Sequence, residues 1–360
     1  MPQRHQAGFT QYFLAIHFDR SPVVIERDLG PVNDVAHRSE TATITAPTTI
    51  TAPTAIPRRI GPSDLRVFPI ALSGTVFGWT ADGPTTTSIL NRFVELGGTF
   101  IDTADSYAGG RSEIMIGNWM RERGNREALT IATKVGKGAD NRGLSAPAIR
   151  AAVEASMRRL RVEHIDLLFL HIDDTSVSFD ETLLAVDELI RSGHVRYFGG
   201  SDHTGERLLE ARIASGQLGV AHMVALQKHY NLMHRDEYEG DVARVSGQLD
   251  LSVLPRFALA AGFLTGKYRS RADIEREHRG AEASRYLNRR GLRILAALDR
   301  VASETGTNVA TAALSWLLSR PRVVAPVVSV SSATQLDVAM AAPLTPLSRH
   351  HLTELDRVSE

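Results

Sequence analysis

The chain has 360 residues, no cysteine and a formal net charge of zero, 41 Lys and Arg balancing 41 Asp and Glu. The missing cysteine excludes disulfides, thiolate nucleophiles and cysteine-held metals, and fits a cytoplasmic protein. Balanced charge removes the attraction to nucleic acid or to an anionic membrane that a basic chain would have, and no apolar run is long enough to span a bilayer. Small molecules are the expected partners, and nothing in these quantities gives an oligomeric state.

In chain order, the first apolar segment is QYFLAIHF (Gln11 to Phe18), which is too short and too interrupted by His17 to read as a signal peptide. The tract TATITAPTTITAPTAIP (Thr41 to Pro57) repeats TITAPT without helical periodicity. Its composition predicts a low-complexity, disordered extension over residues 1–62, ahead of a folded unit over 63–360.

From Val67 onward, short apolar runs alternate with amphipathic segments of helical period, the pattern of βαβ units. Expected strands are 67–72, 99–102, 129–134, 165–171, 195–201, 223–227, 251–255 and 323–328. Between the first two, Pro84 sits in a first helical turn, Ile89, Leu90, Phe93 and Val94 form a stripe, and Gly97 stops the helix. Ser145 is placed to cap the next clear helix, with Ile149, Val153, Ser156 and Leu160 on its inner face. Leu183, Val186 and Ile190 mark a third that Gly193 closes.

Eight strands with intervening helices predict a closed (β/α)8 TIM barrel, whose chemistry lies at the carboxyl ends of the strands. Asp102, Lys134, His171, Ser201 and Gln227 each fall at such an end, and closure would gather them round one mouth. A doubly wound sheet is the competing architecture, but no G-x-G-x-x-G opens a helix after the first strand.

Within TFIDTADSYAGGRSEIMIG (Thr99 to Gly117), Asp102 and Tyr107 lie five residues apart where strand gives way to loop. A phenol of ordinary pKa, about 10, is a poor acid near neutrality and needs a cationic neighbour to serve as one. Lys134 is the expected neighbour, Asp102 its counter-ion, and His171 a neutral donor that orients a carbonyl oxygen. His171 with Asp173 and Asp174 lacks a second histidine at ligand spacing, so no metal is expected. Trp79, in VFGWTADG, is a candidate substrate wall.

This set resembles the catalytic tetrad of the aldo-keto reductases. The resemblance extends from about Arg66 to Glu360 through FIDTADSY, ATKVG, DLLFLH, SGHVRYFGGS, QKHYN, GFLTGKYR and APVVSVSSATQL. It implies reduction of an aldehyde or ketone to an alcohol by NADPH, with NADH as the alternative cofactor and Tyr107 as the general acid. A sugar or secondary-metabolite carbonyl would be a fitting substrate, and Glu113 would be structural.

The same resemblance assigns the nicotinamide to Ser201, Asp202, Gln227 and Arg256, with Phe257 in reserve. It assigns the pyrophosphate to the loop holding Leu259, Gly262 and Lys267, and the adenosine end to Ser329, Ser331 and Gln335. Two residues depart from the pattern. Asp202 stands where Asn is usual and can only accept hydrogen bonds, and Arg256 replaces a stacking ring with a cation that would repel the oxidised cofactor. These departures keep open a second expectation, a nicotinamide-binding regulatory subunit of the same fold with little turnover.

Overall fold

The computed structural model describes residues 55–276 and 280–360. QYFLAIHF and nearly all of the Thr/Ala/Pro tract, on which the expectation of disorder rested, lie outside the described residues. The described chain opens with an antiparallel hairpin of β1 (Arg58–Arg59) and β2 (Arg66–Val67). Ile60, Leu65 and Val67 on this hairpin are buried with Phe100, Leu167 and Leu254 of the barrel interior. Polar contacts fasten it as well: the Gly61 amide donates to Ser252 Oγ at 2.7 Å, and Arg58 donates to the carbonyls of Leu318 and Val323 at 3.0 and 2.8 Å. Residues 58–62, which composition grouped with the extension, therefore pack against the barrel.

Eight parallel strands follow: β3 (Ala71–Ser73), β4 (Phe100–Asp102), β5 (Thr130–Val135), β6 (Ile165–Leu170), β7 (Val195–Ser201), β8 (Ala225–His229), β9 (Ser252–Arg256) and β10 (Val327–Val328). They are hydrogen-bonded in the order β10-β3-β4-β5-β6-β7-β8-β9. The Val253 amide then donates to Arg322 O at 2.8 Å, and Val324 N to Val253 O at 3.0 Å, closing the ring into the (β/α)8 barrel that the alternation predicted. Three strands shift by more than one residue. The expected strand 67–72 divides at Pro69, which has no amide to give a ladder, so Val67 joins the hairpin and β3 starts at Ala71. β8 starts and ends two residues later than expected and so carries His229 to the mouth. Of 323–328 only Val327–Val328 pairs with β3, Pro326 preceding it.

Helices α1 (Gly83–Glu95), α2 (Arg111–Arg123), α3 (Ala146–Leu160), α4 (Phe179–Arg191), α5 (Gly205–Leu218) and α6 (Asp241–Gln248) each follow one strand, from β3 to β8 in turn. After β9 come two short helices, α7 (Arg271–Glu275) and α8 (Gly280–Ser284), then α9 (Arg289–Thr305) and α10 (Val309–Leu318). Helices α11 (Ala333–Met340) and α12 (Arg349–Ser359) end the chain. In α1, Asp82 accepts from Thr85 N at 2.9 Å, Pro84 occupies the first turn, and Ile89, Leu90 and Phe93 are buried. Ser145 does precede α3, but its hydroxyl makes no cap. Glu181 of α4 reaches across to accept from Ala146 N at 2.8 Å, tying the two helix starts together.

Candidate active site

The strand ends bring the expected side chains to one place. Lys134, near the end of β5, extends its ammonium between β4 and the loop after it, where Nζ donates to Asp102 Oδ2 at 2.6 Å, to the Thr103 carbonyl at 2.8 Å and to Tyr107 Oη at 3.1 Å. Three acceptors require three protons, so this lysine is a charged ammonium, and the Tyr107 oxygen, accepting from it, keeps its own O–H for something else. Asp102 is wholly buried and takes a second hydrogen bond, at 2.5 Å, from the Gln227 amide. Burial alone pulls the Lys134 pKa down, but the Asp102 carboxylate and the Tyr107 oxygen together outweigh it and hold the ammonium above its usual range. Burial also pushes the Asp102 carboxyl up, against the pull of Lys134 and Gln227. The donor count at Nζ makes the ionised pair the state this geometry supports.

His171 follows β6, its ring edge-on to Tyr107 with centroids 6.1 Å apart. Its Nδ1 is buried without a partner among the described residues. Burial, with the positive charges of Lys134, Lys137 and Arg256 behind it, pushes its pKa down to about 2, so the imidazole is neutral and donates from one nitrogen. Of the neighbouring acids, Asp173 is held by Arg207 at 2.8 Å, and Asp174 accepts from Leu144 N at 2.9 Å. One trio among the described residues offers convergent ligand atoms, His229, His234 and Glu237. Its imidazole rings lie stacked 3.8 Å apart, and His229 feels the positive charges of Arg256, Arg285 and Lys228, an unfavourable setting for a cation.

Tyr107, Lys134 and His171 face a cleft of about 750 Å³ at the carboxyl ends of the strands. Ser201, Asp202, Gln227 and Arg256 line it, followed by Phe257, Leu259, Gly262 and Lys267 from the loop after β9 and Ser329, Ser331 and Gln335 after β10. Asp102 lies behind this wall, under Lys134. Trp79 does not line the cleft. It lies 61 % exposed in a neighbouring shallow depression, and Val76 and Thr80 of its loop face the cleft instead. Glu113 is buried beneath the site, accepting from Thr133 Oγ1 and Arg159 Nε, both at 2.6 Å.

The two departures from the family pattern meet. Arg256 Nε and Nη2 donate to the two carboxylate oxygens of Asp202 at 3.0 and 2.7 Å, a bidentate pair that cancels both charges. The expectation of an isolated cation repelling oxidised cofactor is corrected accordingly. The Arg256 guanidinium also lies 4.9 Å from the centre of the Phe257 ring. Sequence reasoning missed Ser73, Thr75, Lys137, Asn308, Val338 and Ala339 in the cleft wall. The only signal for Lys137 was its position three residues past Lys134, between two glycines.

A parallel barrel that carries a buried Asp–Lys pair, a tyrosine hydroxyl on the lysine and a neutral histidine around one open cleft belongs to the class of barrel oxidoreductases. The model of the Aldo/keto reductase family matches residues 73–360, and the chain belongs to that family. It is 30 % identical over 295 residues to the "Probable voltage-gated potassium channel subunit beta" of Arabidopsis thaliana, covering 79 % of this chain and 90 % of that protein. Identity is also 30 % with "Uncharacterized oxidoreductase YrpG" of Bacillus subtilis (83 % of this chain, 94 % of the relative). With "Norsolorinic acid reductase B" of Dothistroma septosporum it is 28 % (83 % and 80 %).

Proposed function

We propose that this protein reduces an aldehyde or ketone to an alcohol with NADPH, NADH being the alternative, and that Tyr107 is the general acid. The observation that carries the reading is the Lys134 ammonium, whose three protons are taken by Asp102, Thr103 and Tyr107. Because the Tyr107 oxygen accepts from Lys134, its proton is free to be donated into the cleft. The carbonyl oxygen takes that proton, and the ammonium at 3.1 Å stabilises the negative charge left on the phenolic oxygen. Neutral His171 donates a second hydrogen bond to the same carbonyl oxygen and so orients it.

The cleft suits a nicotinamide cofactor. Its volume falls in the range of small-molecule sites, about 300–1,000 Å³. The Ser201 hydroxyl on its wall is buried and has no hydrogen-bond partner among the described residues. Ser201, Asp202, Gln227 and Arg256 would hold the nicotinamide end. Leu259, Gly262 and Lys267 would hold the phosphates, and Ser329, Ser331 and Gln335 the adenosine. Gly262, at φ +90°, allows backbone to approach closely there. When bound, the reduced cofactor supplies the hydride. The carbonyl-reducing reading is also supported by the oxidoreductase and reductase names of the relatives.

A second reading, a nicotinamide-binding regulatory subunit with little turnover, is favoured by the similarity to the channel-subunit relative. We place the protein in the cytoplasm, with no membrane or nucleic-acid partner. Consumption of NADPH and NADH with a panel of aldehydes and ketones separates the two. Steady turnover is expected, and tight cofactor binding with no turnover of any carbonyl would favour the regulatory subunit.

A further inference from the structure

The chemistry above leaves one cation of the cleft wall unused. Lys137 lies on a loop that is held at three points. Gly143 N donates to Gly136 O at 3.0 Å, Gly138 N to Asp105 Oδ2 at 3.2 Å and Leu144 N to Asp174 Oδ2 at 2.9 Å. A loop so fastened sets where the Lys137 backbone stands at the cleft rim. The charges around it cancel in pairs. Lys134 is spent on Asp102, and Arg256 on Asp202 at 2.7 Å. Lys137 faces the same cleft and, among the described residues, makes no hydrogen bond or ion pair of its own. Asp105 and Asp202 lend Lys137 some favourable field, but neither makes an ion pair with it: Asp105 Oδ2 accepts from Gly138 N, and Asp202 is bound by Arg256. The field of Lys137 reaches His171, the residue placed to orient the carbonyl.

We propose that Lys137 is a specificity-determining residue and that the natural substrate is an anionic carbonyl compound, bearing a carboxylate or an equivalent anionic oxygen that Lys137 binds while His171 and Tyr107 hold the carbonyl. The inference rests on the carbonyl-reducing reading of the cleft. An ammonium with no counter-ion in contact, facing a partly closed cleft, attracts an anion, and it discriminates against a neutral isostere by the contact it would forgo.

The test compares 4-carboxybenzaldehyde with its neutral methyl ester at saturating NADPH, for the native protein, Lys137→Gln and Lys137→Arg. Binding of 4-(hydroxymethyl)benzoate to the NADP⁺-loaded proteins is measured in parallel by calorimetry. The native protein should show a KM for the carboxylate about tenfold below that for the ester, about 1.4 kcal/mol. Lys137→Gln should bring the ratio of the two KM values close to one with kcat for the carboxylate little changed. Lys137→Arg should restore the preference, and benzoate binding should weaken about tenfold in Lys137→Gln alone. An unchanged KM ratio in Lys137→Gln overturns the inference while leaving the reductase reading intact. Should no aldehyde be turned over by the native protein, the reductase reading fails instead. The calorimetry then decides for Lys137: benzoate binding that depends on it upholds an anion site, and equal binding by native protein and Lys137→Gln overturns it.

Discussion

The two ends of this barrel are built from different chemistry. At the amino-terminal end, the hairpin inserts Ile60, Leu65 and Val67 beneath a plug of Phe100, Leu167, Val224 and Leu254, apolar and closed to water. At the carboxyl end, the loops hold a buried ion pair, an imidazole with an unpartnered nitrogen and an open cleft. Backbone conformation divides the same way. Of the eight non-glycine residues at positive φ among the described residues, five (Ala108, Asp202, Phe257, Ala260 and Ala261) belong to loops at the carboxyl ends of the strands. Such conformations cost energy and persist where the surroundings over-determine them. One end of the barrel maintains the fold, and the other spends stability on a site.

That contrast can be broken by mutation, and Lys134→Met should do so most severely. It strands the wholly buried Asp102 carboxylate, with an expected loss of about 3–5 kcal/mol in chemical denaturation together with loss of turnover. The double variant Lys134→Met/Asp102→Asn should recover most of the stability and none of the turnover. Ile60→Ala, at the other end, should cost about 2–5 kcal/mol by leaving a cavity, while turnover per folded molecule stays at the native value. If Ile60→Ala lowered turnover at constant folded fraction, the division between the ends would not hold.

Smaller effects sharpen the account of the mouth. Arg256→Ala leaves the Asp202 carboxylate uncompensated and should raise the NADPH dissociation constant by roughly tenfold. Asp202→Asn in the same chain should relieve part of that loss, a coupling that a double-mutant cycle by calorimetry reads directly.

Two buried groups should show opposite pH signatures. His171, pushed down to about 2, contributes stability that is fully present above the ordinary imidazole value of 6.5 and is lost as pH falls towards 2. Asp105, pushed up to about 6 from 3.8, contributes stability that is fully present below 3.8 and is lost as pH rises through 6. Asp105→Asn should therefore raise the melting temperature by a few degrees, roughly 2–4 °C per kcal/mol, at neutral pH and by much less near pH 4. Turnover should show no inflection from His171 near 6.5.

Much of the carboxyl end was legible in the sequence, because a polar residue closing an apolar strand is conspicuous: Asp102, Lys134, His171, Ser201 and Gln227 all stand out in this way. What escaped involves relations between distant segments. Asp202, just past β7, and Arg256, at the end of β9, are 54 residues apart, so their mutual neutralisation is invisible until the barrel closes. Lys137 between two glycines reads as an ordinary surface lysine. The hairpin escaped for another reason. Two-residue strands carry no periodicity, and the biased composition just upstream concealed where the packed chain begins. Trp79 illustrates the reverse error, since an aromatic in a mouth loop is a sound expectation, yet here the loop turns Val76 and Thr80 to the cleft.

The most direct test is the single-turnover rate of hydride transfer from pre-bound NADPH to an aldehyde in Tyr107→Phe, with cofactor affinity measured on the same sample. Removing only the hydroxyl that Lys134 contacts should slow transfer by roughly 10²–10⁴-fold, the usual worth of a general acid, with cofactor affinity and melting temperature close to native. Transfer at the native rate in Tyr107→Phe would contradict the assignment of the proton to Tyr107.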